Sequence, residues 1–372
     1  MARSHRGAGI IAMAFYPLAR KMLFALDPER AHDLVINAMA AKQALHQYKL
    51  QIHDPVLATQ IGRLSLTSPV GLAAGFDKDG RAPLALLGAG FGFVEVGTLT
   101  PRAQTGNPKP RLFRLPEDQA VINRLGFNNQ GQMAAGPRLT HTIARRDRIR
   151  GGRRDVGLIG VNIGANKDSE DRVADYAEGV ARFSGIADYL TINISSPNTP
   201  RLRDLQSGDA LENLLTRVMS ARGESAVPIF VKIAPDIDDD ALGQLLGQVM
   251  RHGVDGLIVS NTTIARPGHL ISENAHETGG LSGEPLAPRS RALLGVIARD
   301  TQGKLPIISV GGVGSAEEAY ARIKAGASAV QLYTALVYKG PTLAGEINRG
   351  LAKRLKRDGF SSVTEAVGSD YK

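Results

Sequence analysis

The sequence predicts an α/β fold, a single (β/α)₈ barrel preceded by a small N-terminal helical domain. Eight apolar runs rich in β-branched residues recur over about 300 residues, and helix-like stretches follow most of them. No Gly-x-Gly-x-x-Gly follows an early run, which argues against an open dinucleotide-binding sheet. With 372 residues, 43% of them hydrophobic, the chain can bury a large core.

The apolar runs place the barrel strands at Val70–Ala73, Phe93–Gly97, Leu158–Ile163, Tyr189–Ile194, Ile229–Ile233, Leu257–Ser260, Ile307–Val310 and Val330–Leu332. Helical patterns follow at Asp171–Phe183, Asp238–Arg251, Ser290–Arg299 and Ala316–Ala325. Pro101–Arg154 is too long for an ordinary connection, and we expect its first half to form an insertion over the barrel mouth. Thr59–Leu66 predicts a hairpin that closes the barrel bottom. We expect the barrel to span 54–357 and the tail 358–372 to be flexible.

Residues 1–53 form the expected N-terminal domain. Asp27 before Pro28 is typical of a helix N-cap followed by proline at the first helical position. The helix would then place four apolar side chains on one face: Leu34, Val35, Ala38 and Met39. Arg20 and Lys21 lie beside further apolar residues. Two interpretations stay open, a module that packs on the barrel wall and a membrane-facing module that admits an apolar ligand.

Composition narrows the function classes. The chain has no cysteine, which excludes disulfides, thiolate metal sites and a cysteine base. Tryptophan is absent and aromatic residues are few, so recognition of nucleic acid by base stacking is not expected. The net charge of +9 includes a basic tract at Arg145–Arg154, which is typical of a solvated surface. An anionic membrane surface is the main alternative, and nucleic acid is the third because no binding motif accompanies the charge. No apolar run approaches the length of about 18 residues that a membrane span needs.

Polar residues follow the predicted strands, where barrels bind their ligands. They are Lys78, Thr98, Asn162, the set Asn193, Ser196 and Asn198, Lys232, Ser260–Thr263, Gly311–Gly314 and Tyr333–Thr334. The glycine-rich loop before a helix predicts a cradle for phosphate. A buried lysine near a planar, phosphorylated cofactor would stabilise an anionic reduced flavin, and this combination favours FMN.

These segments resemble the class 2 dihydroorotate dehydrogenases, which are membrane-associated and reduce quinone. The motifs that carry the resemblance are Gly71–Gly80, Val96–Arg102, Pro110–Leu115, Asn123–Asn128, Asn193–Thr199, Ser260–Thr263 and Gly279–Gly283. The resemblance runs from about Met13 to about Lys353, and we expect Met1–Ala12 to be dispensable. The soluble class 1 enzymes use a cysteine base, which this chain lacks.

The resemblance implies a role for each matching residue. Ser196 would be the catalytic base. FMN would be held by Ala74, Thr98, Asn162, Asn193, Lys232, Ser260, Gly283, Gly312, Tyr333 and Thr334. Dihydroorotate would be bound by Lys78, Asn123, Arg124, Leu125, Gly126, Phe127, Asn193, Asn198, Asn261 and Thr262. His32 and Arg114 would line a quinone tunnel, although His32 could equally pack on the barrel.

The resemblance therefore implies a flavoprotein oxidoreductase of pyrimidine biosynthesis. It would oxidise dihydroorotate to orotate and pass the electrons to a membrane quinone. We expect a monomer, peripheral on the cytoplasmic face of the cell membrane, with no metal ion and no nucleic-acid partner. The alternatives are a related FMN barrel acting on another pyrimidine or enone, a sugar-phosphate barrel enzyme and a non-catalytic membrane-binding protein.

Overall fold

A computed structural model describes residues 16–150 and 157–371. Eight parallel strands close a barrel in the order of the chain, which confirms the predicted fold class. They are β3 (Val70–Leu72), β4 (Phe93–Leu99), β7 (Leu158–Ile163), β8 (Tyr189–Asn193), β9 (Ile229–Ile233), β10 (Gly256–Val259), β12 (Ile307–Val310) and β13 (Ala329–Leu332). Each of the eight predicted runs is one of these strands, with shifts at the ends of a few residues.

Every residue of the barrel strands is buried. Near-continuous apolar runs give such strands because helices cover the outer face of the sheet and side chains fill the barrel. The predicted hairpin is also present, as β1 (Thr59–Ile61) and β2 (Leu64–Leu66). Ile61 and Leu66 belong to the same buried cluster as Phe93, Tyr189 and Phe230, so the hairpin closes the barrel bottom.

Helices surround the barrel. They are α3 (Pro83–Leu87), α4 (Gln132–Arg150), α5 (Arg172–Phe183), α6 (Gly208–Arg222), α7 (Asp239–Arg251), α8 (Ala287–Asp300), α9 (Ala316–Lys324), α10 (Thr334–Lys339), α11 (Leu343–Arg357) and α12 (Val363–Ala366). The amphipathic helices α5 and α7 begin at Asp171 and Asp238, whose carboxylates accept backbone N–H groups of the first turn.

A second, antiparallel sheet lies over the barrel mouth. It contains β5 (Leu112–Leu115), β6 (Ala120–Asn123) and β11 (Gly280–Gly283), with β6 in the middle. The first half of Pro101–Arg154 therefore forms an insertion over the mouth, as predicted, and its second half is the barrel helix α4. The sequence did not indicate that the Gly280–Gly283 motif would pair as a strand with β6.

The N-terminal module contains two helices, residues 16–24 (α1) and Pro28–Ala44 (α2). The Asp27 carboxylate accepts the N–H groups of Glu29 and Arg30, which confirms the predicted cap. The predicted single apolar face divides in two. Val35 and Met39 line an internal cavity, whereas Leu34 is 55% exposed. Among the described residues, no helix is both long enough and apolar enough to span a membrane.

The segment after α11 packs on the barrel and is not the flexible tail expected from the sequence. Val363 and Ala366 are fully buried, and the Val363 N–H donates to the carbonyl of Ala58.

The basic tract is not all solvated surface, since Arg146 is buried and forms ion pairs with Asp147 and Asp188. The predictions for Met1–Ala12, for residues 151–154 of the tract and for Lys372 lie outside the described residues.

Candidate functional site

One cavity of about 380 Å³ connects the barrel mouth with α1 and α2. The polar ends of the barrel strands line one part of it, and the mouth sheet lines a second part. Apolar residues of the N-terminal module line the third part: Leu23, Phe24, Pro28, Ala31, Val35 and Met39. Nearly all of the predicted site residues thus share a single space, and the exceptions are Asn162 and Arg124.

A buried polar network lies beneath the cavity. Thr98 donates to Asn162 Oδ1 at 2.6 Å, and the amide of Asn193 donates to both residues at 3.1 Å. Asn162 in turn donates to the carboxylate of Glu95 at 2.7 Å. Asn162 therefore supports Thr98 and Asn193 from behind and does not line the cavity. Glu95, which is 1% exposed and also accepts from Tyr189 and Gln331, was missed in the sequence.

Lys232 enters the cavity from the end of β9. It is 5% exposed and forms no hydrogen bond or ion pair with another residue of the described ranges. Burial lowers the pKa of its ammonium group, and the charge of Glu95 acts in the opposite direction. A buried cation without a bound partner needs an anionic or electron-rich ligand. The residues present therefore fit a flavin at this position.

The predicted phosphate cradle lies at the end of β12. Gly311 and Gly312 line the cavity with φ angles of +107° and +80°, a conformation that favours glycine. A Cβ on Gly312 would lie 2.5 Å from the Cβ of Ala287, so no larger residue fits there. Tyr333 and Thr334 line the same part of the cavity, and Thr334 donates to the Ser282 hydroxyl at 2.8 Å.

Ser196 lies on the loop after β8 and is 5% exposed. Its Oγ accepts the N–H of Asn198 at 3.2 Å, and the amide of Asn198 donates to Asn123 at 3.2 Å. These contacts connect the loop to the mouth sheet. The remaining predicted substrate residues also line the cavity: Lys78, Leu125, Gly126, Phe127, Asn261 and Thr262.

Arg124 turns away from the cavity. Its guanidinium donates to Glu277 at 2.7 Å and to the carbonyl of Thr278 at 2.9 Å, and it stacks over the ring of Phe113. The side chain thus ties the mouth sheet to the loop before β11. Any contact of this residue with a ligand would come from its backbone.

His32 and Arg114, the two residues predicted to line a tunnel, both line the cavity. Arg114 donates to the carbonyls of Leu23, Phe24 and Leu26, and therefore fixes the end of α1. Burial, helped by the charge of Lys78, lowers the pKa of His32 to about 3. The ring is neutral near pH 7, and its Nε2 lies 3.3 Å from the Lys78 ammonium.

Three aromatic residues near the apolar end of the cavity were not among the predicted site residues. The hydroxyl of Tyr16 donates to the carbonyl of Val337 at 2.8 Å, and Phe24 packs edge-to-face on Tyr338 with ring centroids 5.6 Å apart. All three line the cavity. Only long-range packing brings them together, so no local pattern could have found them. Within the ranges that the structure describes, no cluster of three His, Cys, Asp or Glu residues could hold a metal ion.

Comparisons with known proteins identify similar chains. A family model described as dihydroorotate dehydrogenase matches residues 56–355. The dihydroorotate dehydrogenase (quinone) of Parvibaculum lavamentivorans is 52% identical over 359 residues, which are 96% of this chain and 99% of that protein. The protein of the same name from Rhodospirillum rubrum is 49% identical over 362 residues, 96% of this chain and 95% of the relative.

Solved structures agree with the sequence relatives. A crystal structure of DHODH from Eimeria tenella in complex with ferulenol superposes with a TM-score of 0.87 at 42% identity. The match covers 94% of this chain and 99% of that chain. The similarity therefore extends over nearly the whole chain.

Proposed function

This chain belongs to the dihydroorotate dehydrogenase family, and from that premise we propose that it oxidises dihydroorotate to orotate in pyrimidine biosynthesis, with a quinone as final electron acceptor. One observation supports this most directly. A single cavity joins a polar chamber at the strand ends to an apolar chamber beneath α1 and α2. A polar pyrimidine and an apolar quinone could therefore approach the same cofactor from two sides.

The family is a flavoenzyme family, and the cofactor that we propose is FMN. Bound FMN would supply a ring that accepts hydride from one substrate and delivers electrons to the other. The Gly311–Gly312 turn and Thr334 would hold its phosphate. Lys232 would place a positive charge beside the ring, where it favours the reduced, anionic form.

We propose that Ser196 is the base that removes a proton from the substrate. Its hydroxyl would take the proton from C5 of dihydroorotate and pass its own proton through a relay to water, while the hydride leaves from C6. A serine hydroxyl is a weak base at neutral pH, so the reaction needs a closed site that excludes water and orients the hydroxyl. The burial of Ser196 and its contact with Asn198 meet that need. Lys78, Asn123 and Asn261 would hold the pyrimidine.

We further propose that residues 1–53 form a membrane-facing domain and 54–357 the catalytic barrel. Leu18, Met22 and Leu34 are 60%, 70% and 55% exposed, and the exposed Lys21 directly precedes Met22 on α1. Apolar side chains beside basic residues on short helices are typical of attachment to an anionic membrane surface. The protein would be a monomer on the cytoplasmic face of the membrane, with the quinone entering between α1 and α2.

Substitution of the base tests the proposal. Ser196→Ala should retain FMN and bind orotate, but flavin reduction should slow on the order of 10²-fold or more, the usual cost of losing a general base. Ser196→Cys should retain part of the rate, with its optimum shifted to lower pH, since a thiol ionises more easily than a hydroxyl. Anaerobic stopped-flow spectroscopy measures the flavin directly. Ser184→Ala, at the residue that follows α5, is the matched control. Wild-type flavin reduction in Ser196→Ala would exclude Ser196 as the base.

A further inference from the structure

Arg203 is hydrogen-bonded to the loop that carries Ser196. The arginine lies in a short 3-10 helix, Leu202–Gln206, which follows that loop. Its Nε donates to the carbonyl of Ser195 at 3.1 Å, and one terminal nitrogen donates to the carbonyl of Thr262 at 3.1 Å. The other terminal nitrogen donates to the carboxylate of Asp236 at 3.0 Å. One guanidinium therefore joins the loops that follow β8, β10 and β9.

Asp236 is itself fixed in place. It accepts the N–H of Ile264 at 3.0 Å and the hydroxyl of Thr263, and Arg289 lies 3.4 Å from its second oxygen. The side chain of Asp236 is 11% exposed and that of Arg203 is 22% exposed. Charge-assisted hydrogen bonds with this degree of burial have a defined geometry and are screened little by solvent. The ion pair can therefore act as a rigid support.

The hydrogen bond from Arg203 to the Ser195 carbonyl helps to set the direction of the Ser196 side chain. The Ser195 carbonyl belongs to the peptide group between Ser195 and Ser196, so a donor that fixes this plane limits the orientation of the next Cα–Cβ bond. The second loop is held in the same way through Thr262. Its neighbour Asn261 donates to the Ser195 hydroxyl at 2.9 Å, which gives the two loops a second connection.

We propose that Arg203 is a positioning residue for proton abstraction, and that it holds Ser196 and the Asn261–Thr262 loop in fixed relation across the bound pyrimidine. This inference rests on the proposed function, because it takes Ser196 as the base. Arg203 is not among the described residues that line the cavity. It acts through the peptide groups of Ser195 and Thr262.

Kinetics of the FMN-loaded, full-length protein test the proposal. Arg203→Gln should slow flavin reduction by dihydroorotate on the order of 10-fold or more, since small errors in placement are costly in catalysis. Reoxidation by quinone and the FMN content should stay unchanged. Arg203→Lys should be intermediate, because an ammonium group cannot make all three planar contacts. The control is Arg217→Gln, which removes the exposed bridge from Arg217 to Asp171. Equal slowing of both half-reactions would indicate a merely structural role and overturn the proposal.

Amide hydrogen exchange provides a measurement that does not depend on activity. In Arg203→Gln, exchange should accelerate in residues 195–206 and 260–264, while the barrel strands stay protected. Unchanged exchange in both segments would overturn the inference even if Ser196 is the base. Conversely, full activity in Ser196→Ala would contradict the base assignment, while accelerated exchange would still show that Arg203 orders the loops.

Asp236→Asn combined with Arg203→Gln should slow flavin reduction little more than Arg203→Gln alone, because the two residues act together. Additive effects would contradict that coupling.

Discussion

At the scale of single residues, two buried charged groups of the site differ in their contacts: Lys232 has no hydrogen-bond partner among the described residues, whereas three side chains donate to Glu95. Lys232 was identified because a lysine that ends a buried run needs a partner. Glu95 lies in the middle of β4, and nothing in the run Phe93–Leu99 indicates that three donors converge on its carboxylate. Arg203 was missed for a similar reason, since its three acceptors come from loops that are distant in sequence.

Two lysines should separate by role. Lys232→Met should weaken FMN binding or lower the flavin reduction potential, because the reduced ring loses its positive neighbour. Lys78→Met should leave the protein yellow and mainly reduce turnover of dihydroorotate, since we propose that Lys78 holds the pyrimidine. Absorption spectra and a spectroelectrochemical titration measure both properties. If the two variants behaved alike, the assignment of one lysine to the flavin and the other to the substrate would be wrong.

His53 should contribute to the pH dependence of stability. Burial lowers the pKa of this histidine to about 4 in the folded state, whereas an unfolded chain has a value near 6.5. The unfolded state therefore binds more protons in this window, and the contribution of His53 is complete above pH 6.5 and is lost as the pH falls toward 4. The loss is at most about 3 kcal/mol between pH 7 and pH 4.

The measurement for His53 is urea unfolding at several pH values. His53→Asn should flatten the dependence of the unfolding free energy between pH 6.5 and 4, compared with the unchanged chain. His46→Asn, at an exposed position two residues after α2, is the control for the substitution itself. Identical pH profiles for His53→Asn and the unchanged chain would show that His53 is not held neutral by the fold.

At the scale of elements, local signals were sufficient where the element depends on its own residues. The Asp27 cap, the Thr59–Leu66 hairpin and the eight barrel strands were read from period, caps and turns. β11 and the C-terminal segment were not, because each is held by a distant partner. Gly280 pairs with Asn123, and Val363 hydrogen-bonds with Ala58. Such pairings leave no trace in the local pattern of a single sequence.

The packed C-terminal segment makes its own prediction. Val363→Ala should destabilise the protein by about 2 kcal/mol, since it removes methyl groups from a fully buried position. Thr364→Ala is the matched control because residue 364 is exposed, and it should change the unfolding free energy little. Urea unfolding of the FMN-loaded protein measures both variants. Equal urea midpoints for Val363→Ala and the unchanged chain would indicate that this segment is the flexible tail that the sequence alone suggested.

At the scale of the whole molecule, the N-terminal module and the barrel divide two tasks. Every strand-end residue of the polar chamber lies beyond residue 70, and the apolar chamber is closed by α1 and α2. The connection between them is extensive. Gln43 accepts the N–H of Leu84 at the start of α3, and Arg20 donates to the carbonyl of Tyr338. Only a variant that keeps the fold intact can therefore distinguish a purely structural role of the module from a membrane role.

Two changes to the module separate these roles. Deletion of residues 1–50 should leave reduction of FMN by dihydroorotate intact but sharply reduce turnover with a long-chain quinone, and a small soluble acceptor should restore turnover. Loss of the Gln43 contact is the complication, so FMN content must be checked first.

The milder variant, Leu18→Glu with Met22→Glu, changes only exposed side chains. It should weaken binding to vesicles with anionic lipids and raise the KM for vesicle-borne quinone, because two charges cannot enter the lipid surface. Arg63→Glu, on the opposite hairpin, controls for the change in net charge. If the double variant bound vesicles and used their quinone as well as the unchanged chain does, the exposed apolar face would have no membrane role and the module would serve only to close the cavity.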